Sequence, residues 1–172
     1  MSFNIKYSIA ALLFISFVLL SVLVPGGPIE TRSFSHIDPL VLGAFNTFLT
    51  SLAILSILLI YFVLKNMKWA YIVSMVCGVS YFLVYALDLG AIFPVSPDSM
   101  PQALFIIEIL GTIASMPLVY FSIQGILKDT NASDRQSTQG SLYSKRLISI
   151  VLVFVVAGIG IIVFATKSAM GN

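Results

Sequence analysis

Residues 40 to 64 read LVLGAFNTFLTSLAILSILLIYFVL, with Asp38-Pro39 before them and Lys65 after. No charged side chain interrupts the run. At about 1.5 Å per residue, a helix of this length covers the roughly 30 Å hydrocarbon core of a bilayer. Its one amide and both threonines, Asn46, Thr47 and Thr50, fall in the first half. This reads as a membrane span with a polar spot near one end.

Four further runs have the same character: 7–24, 69–93, 102–127 and 147–166. Across the 172 residues, 59% are hydrophobic and 9% charged, whereas a soluble domain carries about a quarter of its residues charged. A chain this poor in charge cannot clothe a water-facing surface. The expected fold is all-α: a polytopic integral membrane bundle of five transmembrane helices, forming a single membrane domain over 1–172. The first run has the apolar core of a signal peptide but no A-x-A-like cleavage site, so it is read as a span.

Cations set the expected direction. Lys6, Lys65, Lys68, Lys128, Arg135, Lys145 and Arg146 fall on one side of a five-span chain, and Arg32 and Lys167 on the other. The positive-inside rule then places the N-terminus in the cytoplasm and the C-terminus outside. Tyr7, Tyr61 and Trp69 sit at span ends on the cytoplasmic side, as interfacial anchors do. The cell membrane is the expected location, because no organelle-targeting segment is evident. The polar stretch 128–146 reads as a loose cytoplasmic linker, so the glycosylation pattern at Asn131 to Ser133 is a chance match there.

Several chemistries drop out. Cys77 is the only cysteine and His36 the only histidine. One chain therefore cannot build an internal disulfide, a CxxC redox pair, bis-histidine haem ligation or a multi-histidine zinc or copper site. There is no P-loop, HExxH or GxSxG pattern. No cofactor or metal is expected, and a net charge of +2 gives no reason to invoke nucleic acid. The expected partners are the lipid bilayer and another membrane protein or a second copy of the chain.

The polar residues inside the spans are unevenly distributed. Spans one and five are almost wholly aliphatic and aromatic, and look peripheral. Span two carries Gly43, Asn46, Thr47 and Thr50. Span three carries Ser74, Gly78, Tyr81, Tyr85 and Asp88, and span four Glu108, Gly111, Thr112, Ser115 and Ser122. Spacings of three and four put each set on one helical face, and lipid drives such faces toward one another. The plainer reading of the small residues is close helix packing. Pro117 is expected to bend span four. Counted from the outer boundary, Asn46, Asp88 and Glu108 lie five or six residues deep, or roughly 8–9 Å. Two facing carboxylates cannot both stay ionised cheaply in such a place. They must be protonated, paired or wet. The candidate ligand- or ion-binding residues are Asn46, Tyr81, Tyr85, Asp88 and Glu108.

On the same side lies the loop PGGPIETRSFSHIDP, residues 25–39, which supplies the candidates Glu30, Arg32, His36 and Asp38. Phe34 and Ile37 can dip into the interface and fold Arg32 back over the bundle. Near the acids at this end, Arg32 is the only cation, and its guanidinium can bridge carboxylates where lysine would serve poorly. It is expected to pair with Glu30, Asp88 or Glu108. In the second loop, Asp98 and Ser99 are the polar candidates to cap span four.

Three functions fit these residues. The first is a non-catalytic accessory, assembly or binding subunit of a membrane complex. The second is a small oligomeric transporter or proton- or cation-conducting protein using Asp88 and Glu108. The third is an intramembrane enzyme with a carboxylate acid/base pair, ranked last because no nucleophile accompanies the pair.

Overall fold

A computed structural model describes residues 4–130 and 145–170, without the side chains of 129, 130, 145–152, 154 and 155. The described residues form five helices and no strand: α1 Ile5–Val22, α2 Pro39–Leu64, α3 Lys68–Leu89, α4 Gln102–Thr130 and α5 Lys145–Ala169. The all-α expectation is met. Four helices, α1 to α4, are long and apolar enough to cross a membrane. The fifth expected span is also helical, but its described apolar part, Val156–Ala169, is shorter. The linker at 131–144, with Arg135 and the Asn131 pattern, lies outside the described residues.

Local chemistry sets the helix ends. Asp38 caps α2 by accepting from the Leu40 N–H at 2.8 Å, with Pro39 in the first turn. Asn66 takes a left-handed backbone (φ 55°) just after α2, a conformation asparagine tolerates better than most residues. Helix α3 stops at Leu89, four residues before the expected end. Gly90 follows it, Ala91 turns left-handed (φ 50°), and the Ala91 N–H donates to the Asp88 carbonyl at 2.8 Å. The apolar run continues through Ala91, Ile92 and Phe93, so hydropathy misses this turn. Asp88 therefore occupies the last turn of α3 and is not five residues inside it. Helix α4 runs unbroken through Pro117.

The packing corrects one expectation. Helix α1 packs between α2 and α4, while α3 packs against α4 and α2 on the other side. Helices α2 and α4 are thus diagonal partners. Among the described residues, α5 adds on against α2 alone. Helix α1 is therefore a full member of the bundle, burying Ile9, Leu13, Ser16 and Leu20. Its aliphatic composition hid this, because in lipid a core-facing and a lipid-facing leucine look alike. The remaining faces carry exposed Phe14, Phe48, Val76, Leu83, Ile113 and Met116, as suits a hydrocarbon surround.

Small residues bring α3 and α4 together. A Cβ on Gly78 would meet Val119 at 2.8 Å, and one on Gly125 would meet the Tyr71 ring at 2.8 Å. A Cβ on Gly111 would overlap the Tyr85 ring. Gly111 thus makes room for a large buried tyrosine at the level where the polar residues gather.

Candidate functional site

The loop after α1 is pinned at both flanks and dips between them. Gly26 (φ 81°) lies so close to Ser168 that any side chain there would overlap it. The Phe34 N–H donates to the Ala169 carbonyl at 2.9 Å, and the Phe34 ring is buried with Leu42 and Ala169. Between these anchors, Glu30 and Arg32 turn inward and are 5% and 7% exposed.

Arg32 is gripped from two sides. Its Nε donates to Glu30 Oε1 at 3.0 Å and its Nη2 to Glu30 Oε2 at 2.6 Å. Its Nη1 donates to Asp88 Oδ1 at 2.9 Å and its Nη2 to Asp88 Oδ2 at 2.7 Å. Both carboxylates are held bidentately, the arrangement for which guanidinium is shaped. The Phe34 ring lies 5.3 Å from Arg32 Cζ and adds a cation–π contact. Burial by itself would pull the Arg32 pKa down. The hydrogen bonds to Glu30 and Asp88 outweigh it and hold the pKa above its ordinary value. The charge is therefore permanent.

Glu108 completes the cluster from α4. It is 1% exposed and lines the same cavity as Asp88. Among the described residues its Oε2 has no partner, and neither has the hydroxyl of Tyr85, itself 1% exposed. Both residues, with Glu30, Asp88 and Asn46, line a cavity of about 50 Å³. That volume suffices for about one to a few waters or a group of similar size. Three carboxylates thus gather near one guanidinium, whose four side-chain hydrogen bonds go to Glu30 and Asp88. Among the described residues, no three His, Cys, Asp or Glu side chains are grouped to hold a metal ion.

The other candidates divide. Asn46 is buried, lines the cavity and donates from Nδ2 to Thr166 Oγ1 of α5 at 3.2 Å. Tyr81 stacks on Tyr85 with ring centroids 6.3 Å apart, but its hydroxyl pairs with Ser56 at 2.9 Å, one turn deeper than the cavity. His36 is exposed and stands outside the cluster. Asp38 is also exposed and serves as the α2 cap.

Two contributors were not foreseen. Asp98 does not cap α4. Its Oδ2 accepts from the Ser33 N–H at 2.7 Å, and Ser96 Oγ donates to the Ser33 carbonyl at 2.9 Å. The second loop thereby clamps the first, one residue from Arg32. Thr166 reaches Asn46 from α5, a helix expected to be peripheral. Neither contact has a local sequence signal, since each joins segments more than sixty residues apart.

The family model for a domain of unknown function (DUF8051) matches residues 5–140, and the chain belongs to that family. No curated protein and no solved structure matches the chain.

Proposed function

We propose that this member of the DUF8051 family is a non-catalytic, membrane-embedded binding protein whose acid cluster holds a small cationic hydrogen-bond donor of the ammonium type. One observation carries the reading: among the described residues Glu108 Oε2 and the Tyr85 hydroxyl are deeply buried without partners, and both residues line the same small cavity. Buried polar atoms are nearly always satisfied, so two orphans on residues that share one void call for a guest. An ammonium group supplies donors to both oxygens and offsets the excess of carboxylate. The cation asymmetry supports a reading in which this end of the bundle faces outward, with the cell membrane as the proposed location. There the protein would act as a binding subunit alongside another membrane protein or a second copy of itself.

Methylammonium tests this. With two heavy atoms it gains at most about 3 kcal/mol, so its Kd lies no lower than about 6 mM. At about 100 mM it then stabilises the fold by up to about 1.7 kcal/mol. Thermal unfolding in nanodiscs should show a rise of up to a few degrees over matched sodium chloride, absent in Glu108→Gln. Equal behaviour of the two salts in the wild type would reject the reading.

A second reading, proton or cation conduction, draws support from hydroxyls along the buried face of α3. Tyr85 and Tyr81 lead toward Tyr71, which donates to Asn66 Oδ1 at 3.2 Å beside a pocket of about 250 Å³ lined by Lys6 and Lys128. Proteoliposomes that hold a pH gradient equally well with and without the protein would dismiss it.

A further inference from the structure

The acid cavity has a neighbour. Leu20, Leu23, Pro25, Asn46 and Leu49 line it, and the same five residues line a larger void of about 240 Å³. This second void lies where α1 and α5 flank α2 without packing on each other. Its walls are nearly all hydrocarbon, among them Phe17, Ala53, Ile54 and Ile161, with Ser21, Asn46 and Thr50 as the polar members. Asn46 stands at the junction, its amide tied to Thr166. A small, largely apolar chamber that carries three carboxylates in its wall and can hold only a few heavy atoms thus lies beside an apolar groove between α1, α2 and α5.

Resting on the ammonium reading above, we infer that the site takes a single-chain amphiphile. Its primary ammonium head sits against Glu108 and Tyr85, and its hydrocarbon tail lies in the groove between α1, α2 and α5. Three properties select this class. The head must be small, because the chamber is. It must donate, because Glu108 Oε2 is an acceptor without a partner. It cannot carry phosphate, because Glu30, Asp88 and Glu108 would repel an anion and Arg32 is already engaged by two carboxylates. The tail needs an apolar groove next to the head, and the five shared lining residues put the larger void directly beside the acid cavity. A long-chain primary amine or amino alcohol meets all three; a diacyl phospholipid or a fatty acid does not.

The test is photolabelling of the full chain in nanodiscs of zwitterionic lipid, using a long-chain primary amine with a diazirine in its tail. Adducts should concentrate on groove residues such as Ile54, Ala157 and Ile161. Glu108→Gln should reduce them at least roughly tenfold, the factor for one lost charge-assisted hydrogen bond. Tyr85→Phe, which removes a hydroxyl without a partner, is a second head variant expected to keep the fold and to weaken labelling. Ala53→Phe should fill the groove and abolish labelling, while leaving stabilisation by methylammonium intact. Labelling spread evenly over lipid-facing positions such as Phe48 and Ile113, unchanged in Glu108→Gln, would overturn the inference. So would equal groove labelling by the matching alcohol. If methylammonium stabilises the protein but the tail never enters the groove, the amphiphile fails and the head site stands. If neither probe binds, both fail.

Discussion

Replacing Arg32 with methionine removes the centre of the cluster while keeping most of its apolar stem. Arg32 makes four side-chain hydrogen bonds to Glu30 and Asp88, at 2.6 to 3.0 Å. Adding four charge-assisted bonds would overstate the loss, because the stranded acids have escapes. Glu30 lies in a loop and can swing toward water. A stranded buried carboxylate can also take a proton, an escape that becomes cheaper as the pH falls. Removing one partner of a buried ion pair typically costs about 3–5 kcal/mol. Arg32→Met should therefore lose about 3–4 kcal/mol at pH 7, and the deficit should shrink at pH 5. The sign follows from protonation, which relieves the variant's stranded carboxylate, whereas the wild-type pair has no such deficit to relieve. Unfolding titrations in mixed micelles, followed by Trp69 fluorescence, read both values. Arg32→Lys should fall between, since an ammonium cannot bind two carboxylates bidentately. The apolar triple variant Glu30→Met, Arg32→Met, Asp88→Leu should recover roughly half the loss or more, because no charge is left unpaired. A deficit below about 0.5 kcal/mol at pH 7, or one that grows on acidification, would refute the argument, since it requires a costly stranded charge.

Two substitutions probe the same layer without touching a charge. Gly111→Ala places a methyl group against the Tyr85 ring and should cost about 1–3 kcal/mol by overpacking, read in the same titration. Tyr85→Phe removes a buried hydroxyl that has no partner, so stability should stay within about 0.5 kcal/mol of wild type while methylammonium stabilisation falls.

Much of the fold was legible because lipid imposes a simple rule: long uncharged runs must be helices. The boundaries of α2 could be read because Asp38-Pro39 is a strong start signal and Lys65-Asn66 a clear stop. The end of α3 was hidden, since Ala91, Ile92 and Phe93 continue the apolar run after the backbone has turned. The place of α1 was hidden too, because Ile9, Leu13 and Leu20 differ in no visible way from the lipid-facing Phe14 and Val18. The site was legible where charge is expensive. Asp88 and Glu108 stood out inside spans, and Arg32 stood out as the only cation near them. His36 and Asp38 were drawn in by their charge and proximity in sequence, yet both remain at the surface. What the residues alone could not give was connectivity: Asp98 clamping Ser33, Thr166 holding Asn46, and a groove that lies beside the acid cavity.

The central claim is that Glu108 is the acceptor for a cationic guest. Ligand-induced infrared difference spectroscopy on the wild-type protein and Glu108→Gln tests it most directly. Adding methylammonium should change carboxyl and carboxylate bands in the wild type, with the signal moving toward ionised carboxylate, and that change should vanish in Glu108→Gln. A wild-type spectrum in which no carboxyl band responds, or one that Glu108→Gln reproduces in full, would contradict the account.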